Sequence, residues 1–591
     1  MMTLIGAWTP LTPFGLPPAL WLLPAPVLIP LISAGLAILA AKYPRIQASI
    51  AIVALSLSLI ASAGIIVVVD RNPMVLDVGS WAAPVGVSLV ADRLSAAMLF
   101  MALIVTFAVH IYSVAQGSSS DNDVSGSLPL PIFQPTFLIL SAGVSYSFLT
   151  GDLFNLYVGF EILLMASFVL ITLGGTRGRI RSGTVYVVVS LVGSFIFLLG
   201  IAATYGATGT VNMAQLTTRL REIDPGVALI LQALLLVGFA LKAAVFPLSA
   251  WLPDSYPAAP APVTAVFAGL LTKVGIYAII RVQVLLFPPS PADKVLGFLG
   301  ILTMIIGIVG AVAQDDLKRL LSFTLVSHIG FMLWGISLYS TVGIAAAVLY
   351  ALHHILVQTT LFLVSGLIEH LGGSTSLTKL HSLVRLSPLL GALYLIPALN
   401  LVGFPPLTGF IGKYALSYAS VINASPLGWA LLAAGLVTSL LTLYVVIKVW
   451  NMAFWQTQDE AEATISEEDM EQCRSRKCSW RFRVMAGATG TLIAVSLVMT
   501  AFGEVVYSYT YRLGYDQMLR ETYVTAVIPT KGRGRGKSKD VKETREEQRR
   551  SSTELGIVSD SQVDSSGTGF LEDSSTDAGV DKPRRSQKLG G

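Results

Sequence analysis

Long apolar runs separated by short polar breaks are the feature that most constrains the fold of this 591-residue chain. A helix needs about 20 apolar residues to cross a bilayer, and the sequence offers such a length many times. Hydrophobic residues make up 54% of the chain and charged residues only 13%, whereas about 25% of residues are charged in an average soluble protein. The sequence therefore predicts an all-α polytopic membrane protein.

We predict about fourteen transmembrane helices, hereafter spans. They are centred in residues 19–41, 47–69, 94–116, 134–150, 153–175, 183–205, 227–248, 261–284, 295–314, 320–340, 343–368, 388–413, 427–455 and 484–508. Lys and Arg are concentrated in the loops after odd-numbered spans. The positive-inside rule places those loops in the cytoplasm and both chain ends outside.

Two spans are interrupted by proline, and each carries one lysine. In span 7, Lys242 precedes the proline-rich stretch SAWLPDSYPAAPAPV, and in span 12, Pro405 and Pro406 precede Lys413. Paired interruptions at matching positions indicate internal repeats with a site at the break. The alternative for SAWLPDSYPAAPAPV is an ordinary loop at the membrane interface.

This layout predicts two inverted five-helix repeats, with broken helices 7 and 12. Spans 1–3 occupy residues 1–130, the repeats occupy 131–290 (spans 4–8) and 291–456 (spans 9–13), and 457–483 form a charged cytoplasmic loop. The last span and its flank cover 484–523, and the basic, polar segment 524–591 is expected to be disordered. Cys473 and Cys478, in the charged loop, are expected to be free thiols. The N-terminal segment lacks the basic region of a signal peptide, so we expect it to be retained.

Isolated ionisable residues inside apolar spans are the main candidates for function. Glu161, Lys242 and Lys273 each lie near the middle of a span or beside a helix break. A charge at the centre of a membrane helix costs about 2.5–3.5 kcal/mol on insertion scales, so such residues usually serve ion transport. An opposite charge nearby favours the charged forms of both partners, so a Glu161–Lys242 pair would act as a switch. The alternatives are a protonated or structurally satisfied Glu161 and a Lys273 that snorkels to the headgroups.

Three histidines lie in spans between Lys273 and Lys413, and histidine titrates near neutral pH. His328 is in LLSFTLVSHIGFMLWG, and the adjacent His353 and His354 are in VLYALHHILVQTT. Neighbouring helix residues point about 100° apart, so we expect one of the adjacent pair in the ion path and the other in a helix contact. Asp254 is a further candidate.

The sequence contains no Walker A motif, no Gly-rich dinucleotide fingerprint and no paired metal-ligand motif. We therefore expect no cofactor, no metal site, no catalytic residues and no nucleic-acid partner. The chain is predicted to be a transporter component and not an enzyme.

Five segments together resemble a known family. DLFNLYVGFEILLMASFVLI, GFALKAAVFPLSAWLPDSYPAAPAPVTAVFAGLLTKVGIYAIIR, DDLKRLLSFTLVSHIG, HHILVQTTLFLVSGLI and GFPPLTGFIGKYAL are similar to the antiporter-like membrane subunits of respiratory complex I and of Mrp multisubunit Na⁺/H⁺ antiporters. The sequence around Glu161 is most similar to the D subunit of the Mrp antiporters. Gln358, in VQTT, departs from the many relatives that carry lysine there.

The resemblance implies a mid-membrane row of buried charges that conducts protons. By position, Glu161 and Lys242 correspond to the carboxylate–lysine pair, Lys273 to the connecting lysine, His328 and His354 to the central axis and Lys413 to the terminal group. The implied function is proton translocation in a multisubunit Na⁺(cation)/H⁺ antiporter of the bacterial cell membrane, with other membrane subunits as partners. The alternatives are the equivalent subunit of complex I or of a membrane hydrogenase, and a stand-alone transporter for an organic solute.

Overall fold

The computed structural model describes residues 21–116, 130–456 and 479–528. Within these ranges, twelve helices are long and apolar enough to cross a membrane, and two shorter apolar helices, Ala25–Leu39 and Pro388–Val402, complete fourteen spans. This confirms the predicted all-α membrane fold. The predicted disordered tail begins at 524, but the chain is helical over Glu521–Val527, so that boundary is corrected. Cys473, Cys478 and the residues from 529 onward lie outside the described residues.

The spans follow one another along the chain. Spans 1 to 7 are Ala25–Leu39, Pro44–Val69, Arg93–Gln116, Leu130–Leu149, Leu153–Thr172, Arg177–Thr208 and Pro225–Ala243. Spans 8 to 14 are Ala261–Leu286, Pro291–Val312, Leu317–Ser337, Thr341–Gly372, the two halves Pro388–Val402 and Thr408–Asn423 of span 12, Pro426–Trp455, and Trp480–Ala501.

Short elements connect or extend the spans. Two antiparallel strands, β1 (Met74–Asp77) and β2 (Ser88–Ala91), pair between spans 2 and 3 with Met74 opposite Ala91. Short helices form over Met213–Arg219, Trp251–Ser255, Leu383–Leu386, Gly503–Leu519 and Glu521–Val527, and single 3₁₀ turns over Val78–Ser80, Tyr256–Ala258 and Leu377–Lys379.

Polar residues just before several spans explain where these helices begin. The Asp152 side chain accepts a hydrogen bond from the Asn155 backbone N–H, and Thr176 and Asp316 cap spans 6 and 10 in the same way. Such caps satisfy backbone donors that would otherwise be unpaired at the helix start. The ends of the apolar helices are therefore set by local sequence.

The observed helix ends correct three predicted boundaries. Span 7 ends at Ala243 and not near 248, because Ala244 adopts a left-handed conformation with φ 57°. The second half of span 12 continues to Asn423, well beyond 413. Span 14 ends at Ala501, and a separate helix, Gly503–Leu519, begins where the prediction extended the span to 508.

The spans divide into a buried centre and a periphery. In spans 8 and 11, 100% of the most apolar window is buried, and the fraction is 94% in span 10, whereas it is 50% in span 5 and 56% in span 7. Spans 8, 10 and 11 are therefore shielded on all sides by other helices. Any polar side chain they carry inward must find its partners inside the protein.

A buried charge pair joins one end of span 8 to the start of span 3. The Arg281 guanidinium, 1% exposed, binds the Asp92 carboxylate, which also accepts hydrogen bonds from the Ser95 N–H at 2.9 Å and the Gln517 side chain at 2.8 Å. Gln517 belongs to helix Gly503–Leu519. This network fixes the helix after span 14 against spans 3 and 8.

Candidate functional site

Glu161 and Lys242 are joined through a serine hydroxyl. The Lys242 Nζ donates to the Ser194 Oγ at 2.7 Å, and the Ser194 hydroxyl donates to the Glu161 Oε1. The described residues contain no direct salt bridge between Glu161 and Lys242, so the predicted pair is present as a hydrogen-bonded chain. Lys242 also donates to the backbone oxygen of Ser190 at 3.0 Å.

Lys242 lies in the last turn of span 7, directly before the break. The carbonyl end of a helix carries a partial negative charge that favours a cation at this position. The ammonium group also lies 6.0 Å from the centre of the Phe160 ring. The lysine is 6% exposed, so these groups replace most of its hydration.

The segment after the break is packed inside the protein. Trp251 and Tyr256 are buried and line a cavity of about 10 Å³ beside Lys242, which is room for about one water molecule. The Trp251 Nε1 and the Tyr256 hydroxyl have no hydrogen-bond partner among the described residues. The alternative of an ordinary interfacial loop does not fit these buried aromatic residues.

Lys273 is fully buried in the centre of the protein. Its Nζ donates to the Ala268 backbone oxygen at 2.5 Å, and Ala268 belongs to a π-helical turn, Phe267–Leu271. Such turns are frequent at functional sites, because they shift a backbone carbonyl out of the regular hydrogen-bond pattern. Lys273 has no ion-pair partner in the part of the chain that the structure describes.

Spans 7 and 8 touch between the two lysines. A Cβ added to Gly275 would lie 2.8 Å from the Ala243 backbone nitrogen, so the helices are in direct contact there. No hydrogen bond in the described ranges joins Lys242 to Lys273. Transfer between them would therefore need a water molecule or a movement of the side chains.

His328 and His354 face each other, and Tyr350 lies beside them. The Tyr350 hydroxyl and the His328 Nδ1 are 2.6 Å apart, and the ring centres of His328 and His354 are 5.3 Å apart. Both nitrogens of His354 are buried and have no partner among the described residues. Buried polar atoms of this kind usually bind ordered water.

His353 points to a different neighbour, the second half of broken span 12. Its Nδ1 is 3.1 Å from the Thr408 Oγ1, and Thr408 receives a hydrogen bond from Asn400 Nδ2 at 3.2 Å across the break. We expected one histidine in the path and one in a helix contact. The structure buries both completely, and each faces a polar group near the predicted row.

Lys413 lies at the far end of the row. Its Nζ donates to the Val402 backbone oxygen at 2.7 Å, directly at the break, and lies 4.9 Å from the centre of the Phe331 ring. Lys242 precedes its break and Lys413 follows its own.

Electrostatic contacts connect the central members. His354 is close enough to Lys273, His328, His353 and Lys413 for their charges to interact. Burial keeps water from screening these interactions. The structure thus brings the central residues predicted from sequence into one cluster that leads to Lys413.

One predicted site residue, Asp254, lies apart from this cluster. Asp254 is a surface residue with a 63% exposed side chain, paired with Arg319 at 2.9 Å. Gln358 is buried, and its Nε2 donates to the Leu321 backbone oxygen at 2.7 Å. The Gln358 amide is therefore held by a helix carbonyl.

Sequence reasoning missed three polar partners of the charged groups: Ser194, Tyr350 and Thr408. Two signals were available. Ser190 and Ser194 are one turn apart in apolar span 6, and Tyr350 is one turn before His354 on the same helix face. Among the described residues, no group of three or more His, Cys, Asp or Glu side chains could hold a metal ion.

Comparison with known proteins identifies the family of this chain. Residues 150–442 match the family described as "NADH:quinone oxidoreductase/Mrp antiporter, TM", and residues 77–115 match "NADH-Ubiquinone oxidoreductase (complex I), chain 5 N-terminus". The D subunit of the Na(+)/H(+) antiporter of Alkalihalophilus pseudofirmus is 37% identical over 508 residues, which are 85% of this chain and 98% of the relative. The protein of the same name from Bacillus subtilis is 35% identical over 440 residues, 74% of this chain and 87% of the relative.

Solved structures show the same fold. A chain of the Mrp complex from Dietzia sp. superposes with a TM-score of 0.77 at 30% identity, covering 86% of this chain and 99% of that chain. A chain of respiratory complex I from Thermus thermophilus gives a TM-score of 0.70 at 22% identity, covering 84% and 99%. This chain belongs to the family of NADH:quinone oxidoreductase and Mrp antiporter membrane subunits.

Proposed function

We propose that this protein is a proton-translocating membrane subunit of a multisubunit Na⁺(cation)/H⁺ antiporter in the bacterial cell membrane. The observation that carries the proposal is the row of ionisable side chains through spans 5, 7, 8, 10, 11 and 12. Lys273, His328, His353 and His354 are each 0% exposed. Ionisable groups buried at this depth are costly and mark ion pathways.

In the proposed path, protons enter near span 7 or span 8 and pass through Lys273, His328 and His354 to Lys413. The unpartnered nitrogens of His354 support bound water at the centre of this route. Water completes a hydrogen-bonded path where side chains are too far apart to touch. His353, next to Thr408, is a second connection between the histidines and span 12.

The Glu161–Lys242 chain is the proposed gate. While Glu161 is hydrogen-bonded through Ser194, its negative charge favours the ammonium form of Lys242. When the two groups separate, the buried lysine loses this compensation and tends to release its proton. The distance between Glu161 on span 5 and Lys242 on span 7 would thus determine whether Lys242 is protonated.

The partial exposure of the two residues at the ends of the row supports the presence of neighbouring subunits beside this chain. Glu161 and Lys413 are partly exposed, whereas the residues between them are buried. A charged group at the lateral surface of a membrane protein is costly unless a neighbour covers it. Neighbouring subunits of the complex would provide that cover. The two broken spans also support the proposed division into repeats at residues 131–290 and 291–456.

Antiport in everted membrane vesicles tests the gate. The intact complex is expressed with Glu161→Ala or Lys242→Ala, and Na⁺-dependent collapse of a pH gradient is recorded with a fluorescent dye. We expect both variants to lose antiport. Glu222→Gln is the matched control, because the one ion-pair partner of this exposed carboxylate in the described part of the chain is Arg219, in the connection after span 6. Normal antiport in both alanine variants would reject the gate.

The redox alternative places the same path under the control of electron transfer elsewhere in the complex. Its fold-level support is the likeness to the complex I chain. The absorbance spectrum of the purified complex distinguishes the antiporter from the redox enzyme. We expect no iron–sulfur or flavin absorbance. Stoichiometric flavin or iron–sulfur absorbance would assign the chain to a redox enzyme.

A further inference from the structure

Ser194 occupies the only position in the described gate where one side chain contacts both charged groups. It lies in the middle of span 6 and is 4% exposed. Its oxygen accepts from the Lys242 Nζ at 2.7 Å, and its hydrogen points to Glu161. Both bonds involve charged partners, which makes them stronger than neutral hydrogen bonds.

Close helix packing holds this hydroxyl in place. A Cβ added to the neighbouring Gly193 would lie 2.9 Å from the Leu241 Cδ2 and 3.4 Å from the Lys242 Cε. Small residues at a membrane helix interface allow the backbones to approach closely. Gly193 thus brings span 6 near enough to span 7 for a short serine side chain to bridge the lysine and the carboxylate.

We propose that Ser194 is a positioning residue that links the protonation state of Lys242 to the position of Glu161. The proposal rests on the proposed function of this pair as a gate. An ammonium group has three donors and no acceptor, so it requires the Ser194 oxygen as an acceptor. The serine hydrogen is then free to bind Glu161, and the three groups form one continuous chain.

Loss of the proton from Lys242 reverses the direction of the hydrogen bond between Lys242 and Ser194. A neutral amine has a lone pair, so the Ser194 hydroxyl can rotate about its Cβ–Oγ bond and donate to the lysine nitrogen. Its hydrogen bond to Glu161 is then lost, and Glu161 is free to move away. No proton is transferred to or from the serine in this step; only its hydroxyl changes direction.

The titratable groups around the Ser194 hydroxyl lie on spans 5, 6 and 7 and on the segment after the break in span 7. Glu161 on span 5 and Lys242 on span 7 face the hydroxyl directly. Tyr157 on span 5 interacts electrostatically with Glu161. Tyr186 and Tyr256 line the cavity beside Lys242. Tyrosine ordinarily titrates near pH 10, above the range of the measurement.

The test compares Ser194→Ala, Ser194→Thr and Thr204→Val in the intact complex, with antiport measured in everted vesicles from about pH 6 to pH 9 to span neutral pH. Loss of a hydrogen bond to a charged group predicts an antiport rate about tenfold or more lower for Ser194→Ala, with an altered pH profile. Ser194→Thr keeps the hydroxyl and is expected to retain the parent antiport rate and pH profile. Thr204→Val is the matched control, because this buried hydroxyl lies on the same span, about 15 Å along the helix from Ser194, and donates to the Gly200 backbone oxygen of its own helix.

Two outcomes separate this inference from the gate itself. If Glu161→Ala and Lys242→Ala abolish antiport but Ser194→Ala keeps the parent rate and pH profile, the role of Ser194 is rejected and the gate stands. If those two variants keep antiport, the gate is rejected. Should Ser194→Ala fail to assemble, Ser194→Cys, with its weak S–H donor, is expected to show the same loss of rate. A parent rate in that variant rejects the role of Ser194.

Discussion

Replacing Asp92 with alanine should destabilise this protein far more than replacing an exposed carboxylate. Asp92 is the only negative partner of Arg281 among the described residues, and the two side chains are 5% and 1% exposed. Breaking a buried ion pair from one side leaves an uncompensated buried charge, which costs about 3–5 kcal/mol. We expect the free energy of unfolding to fall by about that amount.

The contacts that remain around Arg281 should not restore the stability lost in Asp92→Ala. After Asp92→Ala, the guanidinium keeps the Ser95 hydroxyl at 2.8 Å, the Tyr277 hydroxyl at 3.1 Å and the Gln517 Oε1 at 3.0 Å. These groups are neutral. They satisfy some of the guanidinium N–H donors but provide no negative charge.

Asp70→Ala is the matched control. Asp70 also binds arginine, through contacts with Arg93 and Arg512 at 3.0 Å, but its side chain is 40% exposed. The pair with Arg512, whose side chain is 42% exposed, contributes about 0–1 kcal/mol, because water already solvates both charges, and the more buried Arg93 keeps Asp516 as a negative partner. The difference between the two alanine variants therefore measures the effect of burial.

Denaturant titration of the purified chain in detergent micelles, followed by tryptophan fluorescence, measures both changes. A double-mutant cycle with Arg281→Met adds a second criterion. Removing both charges should destabilise less than Asp92→Ala alone, because no unpaired charge remains. The reasoning is refuted if Asp92→Ala is no worse than Asp70→Ala, or if the double variant is worse than either single variant.

Acidification should weaken the same contact. Burial alone would raise the pKa of the Asp92 carboxyl, but the charge and hydrogen bonds of Arg281 and the Ser95 N–H lower it below its usual value of 3.8. A lowered pKa in the folded state contributes stability that is fully present above the unfolded pKa of about 3.9 and is lost as pH falls through the folded value. Stability should therefore drop on acidification below about pH 4, and less steeply in Asp92→Asn.

Two further predictions concern the row and its helix packing. Gly275→Ala should destabilise the chain by about 1–3 kcal/mol, because the added Cβ would lie 2.8 Å from the Ala243 nitrogen. Gly206→Ala is the control: a Cβ added there would have no atom of a neighbouring element within 4 Å, so it should not lower the denaturation midpoint. Lys413→Ala should abolish antiport in vesicles, whereas Asp254→Asn, in a 63% exposed surface pair, should retain most of it. Equal losses in Lys413→Ala and Asp254→Asn would contradict the separation of the row from the surface.

The sequence allowed most of the candidate row to be predicted, because each member is conspicuous alone. Glu161, Lys273 and His328 stand in runs of apolar residues, and a buried ionisable group needs no tertiary information to be recognised as costly. The structure places Asp254 away from the row. Its neighbours gave no sign that the segment after the break turns its carboxylate toward Arg319 at the surface.

Local chemistry determined the spans and the positions of the helix breaks. Apolar length, capping residues such as Asp152 and prolines such as Pro405 act within one or two turns of the chain. Only the tertiary structure decided which side chains meet. Ser194 lies 33 residues from Glu161 and 48 from Lys242, and Arg281 lies 189 residues from Asp92. Contacts over such separations depend on how helices pack, and packing depends on the shapes of several spans at once.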